Sequence, residues 1–172
     1  MKKKKLLKID LACGQTKPEG YIGIDSVKAP GVDIVHDLET YPWPLKNDSV
    51  DEIRCIMYIE HVQDLMKFMD EVYRVLKKGA TAMFVAPYYS SMRSMQDPTH
   101  IRPISEATFL YYNKKWREDN KLDHYPIHCD FDFTYGYVLA PEWVNRSQES
   151  RDFAIKHYNN VITDIQVVVT KR

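Results

Sequence analysis

The chain alternates short apolar runs with longer stretches in which apolar residues recur every three or four positions. Runs at 5–12 (KLLKIDLA), 21–25 (YIGID), 32–38 (VDIVHDL), 51–58 (DEIRCIMY), 81–87 (TAMFVAP), within 128–140 (HCDFDFTYGYVLA) and at 164–171 (DIQVVVTK) read as strands. Several are continuously apolar, as strands buried on both faces are. Between 62 and 77 the pattern changes period. Val62, Leu65, Met66, Met69, Val72, Tyr73 and Leu76 form one helical stripe. That stripe is core, and its methionines are packing rather than ligands. Lys77 and Lys78 suit the negative end of the helix, and Gly79 suits a left-handed stop. A shorter helix is predicted over 105–113, capped by Ser105 with Glu106 in its first turn.

The remaining segments are not regular. Pro42 and Pro44 forbid a helix between the third and fourth strands. Residues 88–104 are polar and aperiodic but too rich in aromatic and charged residues for a flexible tether, so they read as an ordered loop or lid. Strands alternating with helices predict an α/β fold, a mostly parallel sheet with helices on both faces. No repeat or boundary interrupts it, and 1–172 reads as a single domain.

Composition narrows the partners. The formal net charge is zero, 24 basic against 24 acidic residues, which disfavours a nucleic-acid partner. The basic run Lys2–Lys5 reads as a solvated tail, and Lys8 and Asp10 break the adjoining apolar stretch too early for a signal peptide. No segment approaches the ~20 apolar residues of a membrane span. Three widely spaced cysteines, Cys13, Cys55 and Cys129, argue for a reducing, cytoplasmic setting without a disulfide framework.

The candidate chemistry lies where the opening strands end. In an open parallel sheet, ligands bind beyond the carboxyl ends of the strands. Ala12, Cys13 and Gly14 after the first strand are small enough for close approach to the backbone. Asp25, with Ser26 beside it, ends the second strand, where an acid can take ribose hydroxyls. Asp37 and Leu38 end the third, where an acid can receive an exocyclic amine. These describe an adenosine site. The device for phosphate is missing: Gly14, Gly20 and Gly23 do not fit G-x-G-x-x-G, and the six residues between Gly14 and Tyr21 include Pro18. A helical crossover needs a dozen residues or more. S-adenosylmethionine has an adenosine and no phosphate.

Taken together, KIDLACG, YIGID, DIVHDLE, YPWPLKNDSVDEIRCIMYIEHV and EVYRVLKKGATAMFVAP resemble the class I S-adenosylmethionine-dependent methyltransferases. Within that group the sequence is most similar to the branch with a compressed link between the first two strands. The resemblance covers about residues 5–90, with a similar tail in 130–171. It implies a Rossmann-like sheet of seven strands, the last antiparallel. It also implies cofactor contacts from Asp10, Ala12, Cys13 and Gly14, a ribose contact from Asp25, an adenine side at Asp37 and Leu38, and Met57 and Tyr58 flanking the methionine end. Two departures stand out: the first motif lacks its later glycine, and LKKGA replaces a proline and two glycines. With no helix after the first strand, Gln15 or Lys17 is expected to meet the cofactor's carboxylate.

Methyl transfer from a sulfonium needs alignment and exclusion of water more than acid–base chemistry, so no triad is expected. The acceptor side falls to the loops after the fourth and fifth strands. Glu60 and His61 lie in one; Asp97, His100 and Arg102 lie in the other. His61 and His100 are the catalytic candidates. APYY comes after the fifth strand and holds one proline, unlike the Pro-Pro-Tyr of DNA amino-methyltransferases after the fourth. In HYPIHC, Pro126 spoils the helical pairing of His124 with His128, and no metal ligand is assigned. The expected reaction is methylation of a small molecule or biosynthetic intermediate. The competing reading is a non-catalytic adenosine-ligand binder or scaffold, with a nucleic-acid methyltransferase ranked behind it. Oligomeric state stays open.

Overall fold

A computed structural model describes residues 6–172; the Lys2–Lys5 tail lies outside the described residues. The first four strands are β1 (Lys8–Leu11), β2 (Ile22–Asp25), β3 (Ile34–Val35) and β4 (Val50–Ile56). Helix α1 (Leu65–Val75) leads into β5 (Leu76–Pro87), after which come the short helices α2 (Met92–Gln96), α3 (Glu106–Leu110) and α4 (Lys114–Asp119). Strand β6 (Phe131–Leu139), helices α5 (Pro141–Val144) and α6 (Gln148–His157), and strand β7 (Ile162–Lys171) complete the chain.

The strands form one seven-stranded sheet in the order β3-β2-β1-β4-β5-β7-β6. β1 to β5 run parallel, and β7 inserts antiparallel between β5 and β6. Register separates two faces, because side chains alternate along a strand. Ile9, Ile53, Ala82 and Val169 stand side by side on one face, with Leu11, Cys55, Phe84 and Val167 in the next row, all buried. Against these pack Phe68, Met69, Val72 and Val75 of α1, and Phe109 of α3. The other face reads Asp10, Arg54, Met83 and Val168 in one row, and only Asp10 in it is fully buried. The links after β1 and β2 contain no helix, so the helical cover is unevenly shared.

Helix α1 is shorter than the 62–77 stripe. Asp64 caps it, its carboxylate accepting from Lys67 N at 3.0 Å, which fixes the start at Leu65 although Val62 is buried too. The end also differs. Leu76 turns extended and Gly79, at φ +76°, lies in an irregularity of β5 rather than closing the helix. The cation at the helix end comes from far away. Lys171 Nζ donates to Tyr73 O at 2.7 Å and Leu76 O at 2.8 Å, while Lys77 pairs with Asp51. The predicted 105–113 helix shortens to α3, and α4 begins just beyond it. Ser105 N donates to Thr108 Oγ1 at 3.2 Å at the first start, and Asn113 Oδ1 accepts from Trp116 N at 2.9 Å at the second.

Candidate functional site at the carboxyl ends of the strands

The link after β1 turns on two left-handed residues, Ala12 at φ +51° and Gly14 at φ +52°. Between them, Cys13 N donates to Ile24 O at 3.2 Å, while the Cys13 thiol is buried and pushed above its ordinary pKa by burial. Its backbone, not its sulfur, is presented at the strand ends. A Cβ placed on Gly14 would meet nothing within 4 Å, so the space above this turn is open to a ligand.

Asp25 closes the turn as a helix start does in longer crossovers. Its Oδ2 accepts from Gly14 N at 2.9 Å and its Oδ1 from Val27 N at 3.0 Å. A carboxylate offers about four lone-pair sites, so two stay available for hydroxyl donors. Ser26 beside it is exposed, as is Gln15. Lys17 is committed differently from the expectation: it forms an ion pair with Asp33, whose Oδ2 also takes Gly23 N at 2.7 Å.

Asp10 also departs from its expected role as a ligand contact. It is 1 % exposed, and both carboxylate oxygens accept from Arg54 Nη1 at 2.9 Å, across directly paired positions of β1 and β4. Burial raises its pKa and Arg54 opposes the rise. Asp10 therefore ties two central strands together beneath the turn. Arg54, an isolated cation in an otherwise apolar part of its strand, was the sequence signal for this pair.

The next two strand ends converge on the same place. Asp37 is exposed, with Oδ1 holding Glu39 N at 3.0 Å, and Leu38 is buried, its carbonyl accepting Trp43 Nε1 at 3.0 Å. Met57 leaves β4 in a left-handed conformation, φ +51°, with its N–H on Val85 O at 2.7 Å. Half-buried Tyr58 comes next, its ring 6.0 Å from that of Phe68. Its phenol is held well above its ordinary pKa, first by burial and then by negative groups that include Glu39, Asp37 and Asp25. One hydroxyl thus feels acids from the ends of β2 and β3 while standing at the end of β4. By contrast, a cleft of about 440 Å³ lined by Asp48, Arg74 and Lys171 sits by the start of β4, at the opposite edge of the sheet.

The loops after β4 and β5 bring His61 and His100 together. Their rings lie 4.7 Å apart and nearly perpendicular, at 69°. Glu60 is buried beside them, with its Oε1 4.0 Å from His100 Nε2, and burial raises its pKa. The 88–104 segment is organised rather than loose. Tyr89 N bonds Ile104 O at 2.9 Å, Ile101 N bonds Glu60 O at 3.0 Å, and Arg102 reaches Gln63 O at 2.7 Å. Asp97 bonds Thr99 rather than Arg102.

Residues 9–84 match the family model of a methyltransferase domain. The span coincides with β1 to β5 and every strand end just described, and the sheet order with an antiparallel seventh strand completes the fold. Residues 9–84 therefore carry a methyltransferase domain, and the fold of the whole chain is that of the class I S-adenosylmethionine-dependent methyltransferases. Solved structures of this kind share the fold at low identity. An S-adenosylmethionine-dependent methyltransferase from Archaeoglobus fulgidus has a TM-score of 0.65 and 18% identity, over 96% of this chain and 86% of its own. A possible histamine N-methyltransferase from Thermotoga maritima gives 0.60 and 16%, over 96% and 82%. Haemonchus contortus phosphoethanolamine N-methyltransferase 2, solved with S-adenosylmethionine, gives 0.54 and 14%, over 98% and 49%. A search of curated protein sequences returns no match.

The residues present fit S-adenosylmethionine, the ligand bound in the Haemonchus contortus structure. The open space over Gly14 and the two spare acceptor sites of Asp25 suit a nucleoside. Among the described residues no helix starts in the links after β1 and β2 to meet a phosphate, as a dinucleotide would need. Among the described residues, too, no helix is long and apolar enough to cross a membrane.

Proposed function

We propose that this methyltransferase transfers a methyl group to a small-molecule acceptor seated between the carboxyl edge of the sheet and the 88–104 loop. In this reading Ala12, Cys13 and Gly14 present backbone to the cofactor. Asp25 and Ser26 take the ribose, Asp37 and Leu38 the adenine edge, and Met57, Tyr58 and Gln15 the methionine end. The cofactor supplies an electrophilic methyl on a sulfonium. The chain's own residues align the acceptor, with His61 and His100 at the reacting side, and the 88–104 loop keeps water out.

The observation that carries this reading is that β1 to β4 are neighbouring parallel strands, so the Ala12–Gly14 turn, Asp25, Asp37 and Met57–Tyr58 follow strand ends along one edge of the sheet, where Gly14 faces open space. A small acceptor is favoured by zero net charge, which gives no footprint for a phosphate backbone. The same composition, with three free, buried cysteines, supports a cytoplasmic setting.

Calorimetric titration with S-adenosylmethionine, its demethylated product and a nicotinamide dinucleotide tests the pocket. Binding of the first two and not the third is expected; a seated dinucleotide would overturn the assignment. Labelled-methyl transfer into small-molecule and macromolecular fractions of a cell extract tests the acceptor class, and label confined to nucleic acid or protein contradicts it.

A further inference from the structure

Glu60, His61 and His100 form a cluster that the methyl-transfer reading leaves chemically incomplete. Glu60 is 2 % exposed, and neither carboxylate oxygen has a hydrogen-bond partner among the described residues. An ionised carboxylate left this way costs several kcal/mol unless a charge arrives to meet it. Both imidazoles adjoin it, and one ligand atom from each of the three residues lies within 4.8 Å of the others.

The ring orientations are fixed from behind. His100 Nδ1 lies 3.1 Å from Ser94 O, and a carbonyl only accepts, so the proton sits on Nδ1 and Nε2 keeps its lone pair. His61 Nδ1 lies 3.0 Å from Thr99 Oγ1 and 3.3 Å from Thr99 O. The Thr99 hydroxyl spends its own hydrogen on Asp97 Oδ1 at 2.6 Å, so toward His61 it accepts, and His61 Nδ1 donates. Both rings are thus held in the tautomer that frees Nε2. Histidines with Nδ1 bonded to a carbonyl or a carboxylate-linked group and Nε2 left open are oriented as metal ligands are.

We propose that Glu60, His61 and His100 bind a divalent first-row cation, with open positions that take an oxygen of the acceptor. Two imidazoles and one carboxylate suit zinc, manganese or iron(II) better than magnesium or calcium. Bonds of about 2.1 Å place ligand atoms ~3.0–3.4 Å apart, so loading draws the three side chains together by about an ångström. The ligands come from the loop after β4 and the loop after β5, and the Ile101 N to Glu60 O bond of 3.0 Å already locks these loops together. Asp97 Oδ2, 3.9 Å from His100 Nε2, stands within reach of the same site.

The cation's role toward the acceptor rests on the methyltransferase reading; the site itself does not. A cation there lowers the pKa of a bound hydroxyl and fixes its direction. The acceptor class this favours is a hydroxyl compound with a second oxygen placed to chelate. His61 and His100 then act as ligands to the cation rather than as bases: the bound hydroxyl gives its proton to water as it binds, its oxygen bonds the methyl carbon, and the carbon–sulfur bond of the sulfonium breaks to leave the thioether.

The test uses the full chain without cofactor. Protein stripped by chelator is titrated calorimetrically with Zn²⁺, Mn²⁺ and Mg²⁺ separately, and with Co²⁺ followed by its visible absorption. Saturable one-to-one binding of Zn²⁺ or Mn²⁺ at micromolar level or tighter is expected, with Mg²⁺ at least tenfold weaker and a Co²⁺ spectrum of nitrogen and oxygen ligation. Glu60→Gln and His100→Asn should each weaken binding at least tenfold, with melting curves confirming that the variants fold. Thr99→Val, at a position that touches no cation, should weaken it severalfold by freeing the His61 ring. No binding to the folded parent protein, or binding unchanged in folded Glu60→Gln, overturns the proposal. Titration of the same stripped protein with S-adenosylmethionine reads out the cofactor pocket separately.

Discussion

Replacing Arg54 with Met isolates the interaction beneath the cofactor turn. Asp10 is 1 % exposed and has both oxygens on Arg54, whose side chain is 24% exposed. Breaking a buried pair from one side typically costs ~3–5 kcal/mol, because the remaining charge is stranded. Partial access of water from the Arg54 side places the expected loss near the lower bound, about 3 kcal/mol. The pH dependence has a definite sign. Burial already raises the Asp10 pKa, and Arg54 is its first opposing influence, so removal of Arg54 raises it further. A carboxyl whose folded pKa exceeds its unfolded value of about 3.9 binds more protons in the folded state between the two values, so it disfavours the folded state as pH rises through that window. The deficit of Arg54→Met relative to the parent must therefore be full above the variant's folded pKa and shrink as the pH falls toward the unfolded value. Urea melts followed by circular dichroism at pH 7 and pH 5 measure it. Adding Asp10→Asn to the variant should recover part of the loss. A deficit below ~0.5 kcal/mol, or one that grows on acidification, refutes the argument, since such a value is ordinary for surface substitutions.

Three further substitutions separate stability from function. Gly14→Ala places a side chain in a left-handed conformation at about 1–2 kcal/mol, yet its Cβ meets nothing within 4 Å, so the chain should fold while S-adenosylmethionine affinity by calorimetry falls at least tenfold. Gly23→Ala acts the opposite way: its Cβ would meet Cys13 Sγ and Gly31 O at 2.6 Å, and thermal melting should show a loss of about 3 kcal/mol or failure to fold. Asp70→Ala removes the acceptor of His128 N at 2.9 Å and Cys129 N at 2.8 Å, and the stranded donors should cost ~2 kcal/mol in denaturant melts with cofactor affinity unchanged.

Strand positions were largely legible because buried parallel strands are written as apolar runs, and most differ from expectation mainly at their ends. The third shrank most: VDIVHDL yields only Ile34–Val35, since β3 is an edge strand whose flanks bond locally, as Asp33 does to Gly23 N and Asp37 to Glu39 N. Helix ends were harder to read. The stripe in 62–77 reports burial, whereas Asp64 and distant Lys171 decide where α1 starts and stops. At the site, residue types at strand ends were visible, but pairings across 44 residues, such as Asp10 with Arg54, were not. Nor did spacing reveal that Glu60 and His61 meet His100, because that contact depends on the fold of an aperiodic loop.

The short link after β1 shows how a strand-end turn is fixed without a crossover helix, which is what the proposed nucleoside site requires. A helix would bring N–H groups and a positive end to the turn. Here Asp25 closes the turn instead, accepting from Gly14 N and Val27 N, and Asp33 fastens the other side through Gly23 N and Lys17. Two carboxylates thus fix a backbone conformation that one helix would otherwise impose. The exchange has a chemical consequence: the turn now carries negative charge where a helix start carries positive. Such a turn repels phosphates and accepts a ribose, and it welcomes a ligand whose own centre is cationic. A sulfonium nucleoside meets all three conditions.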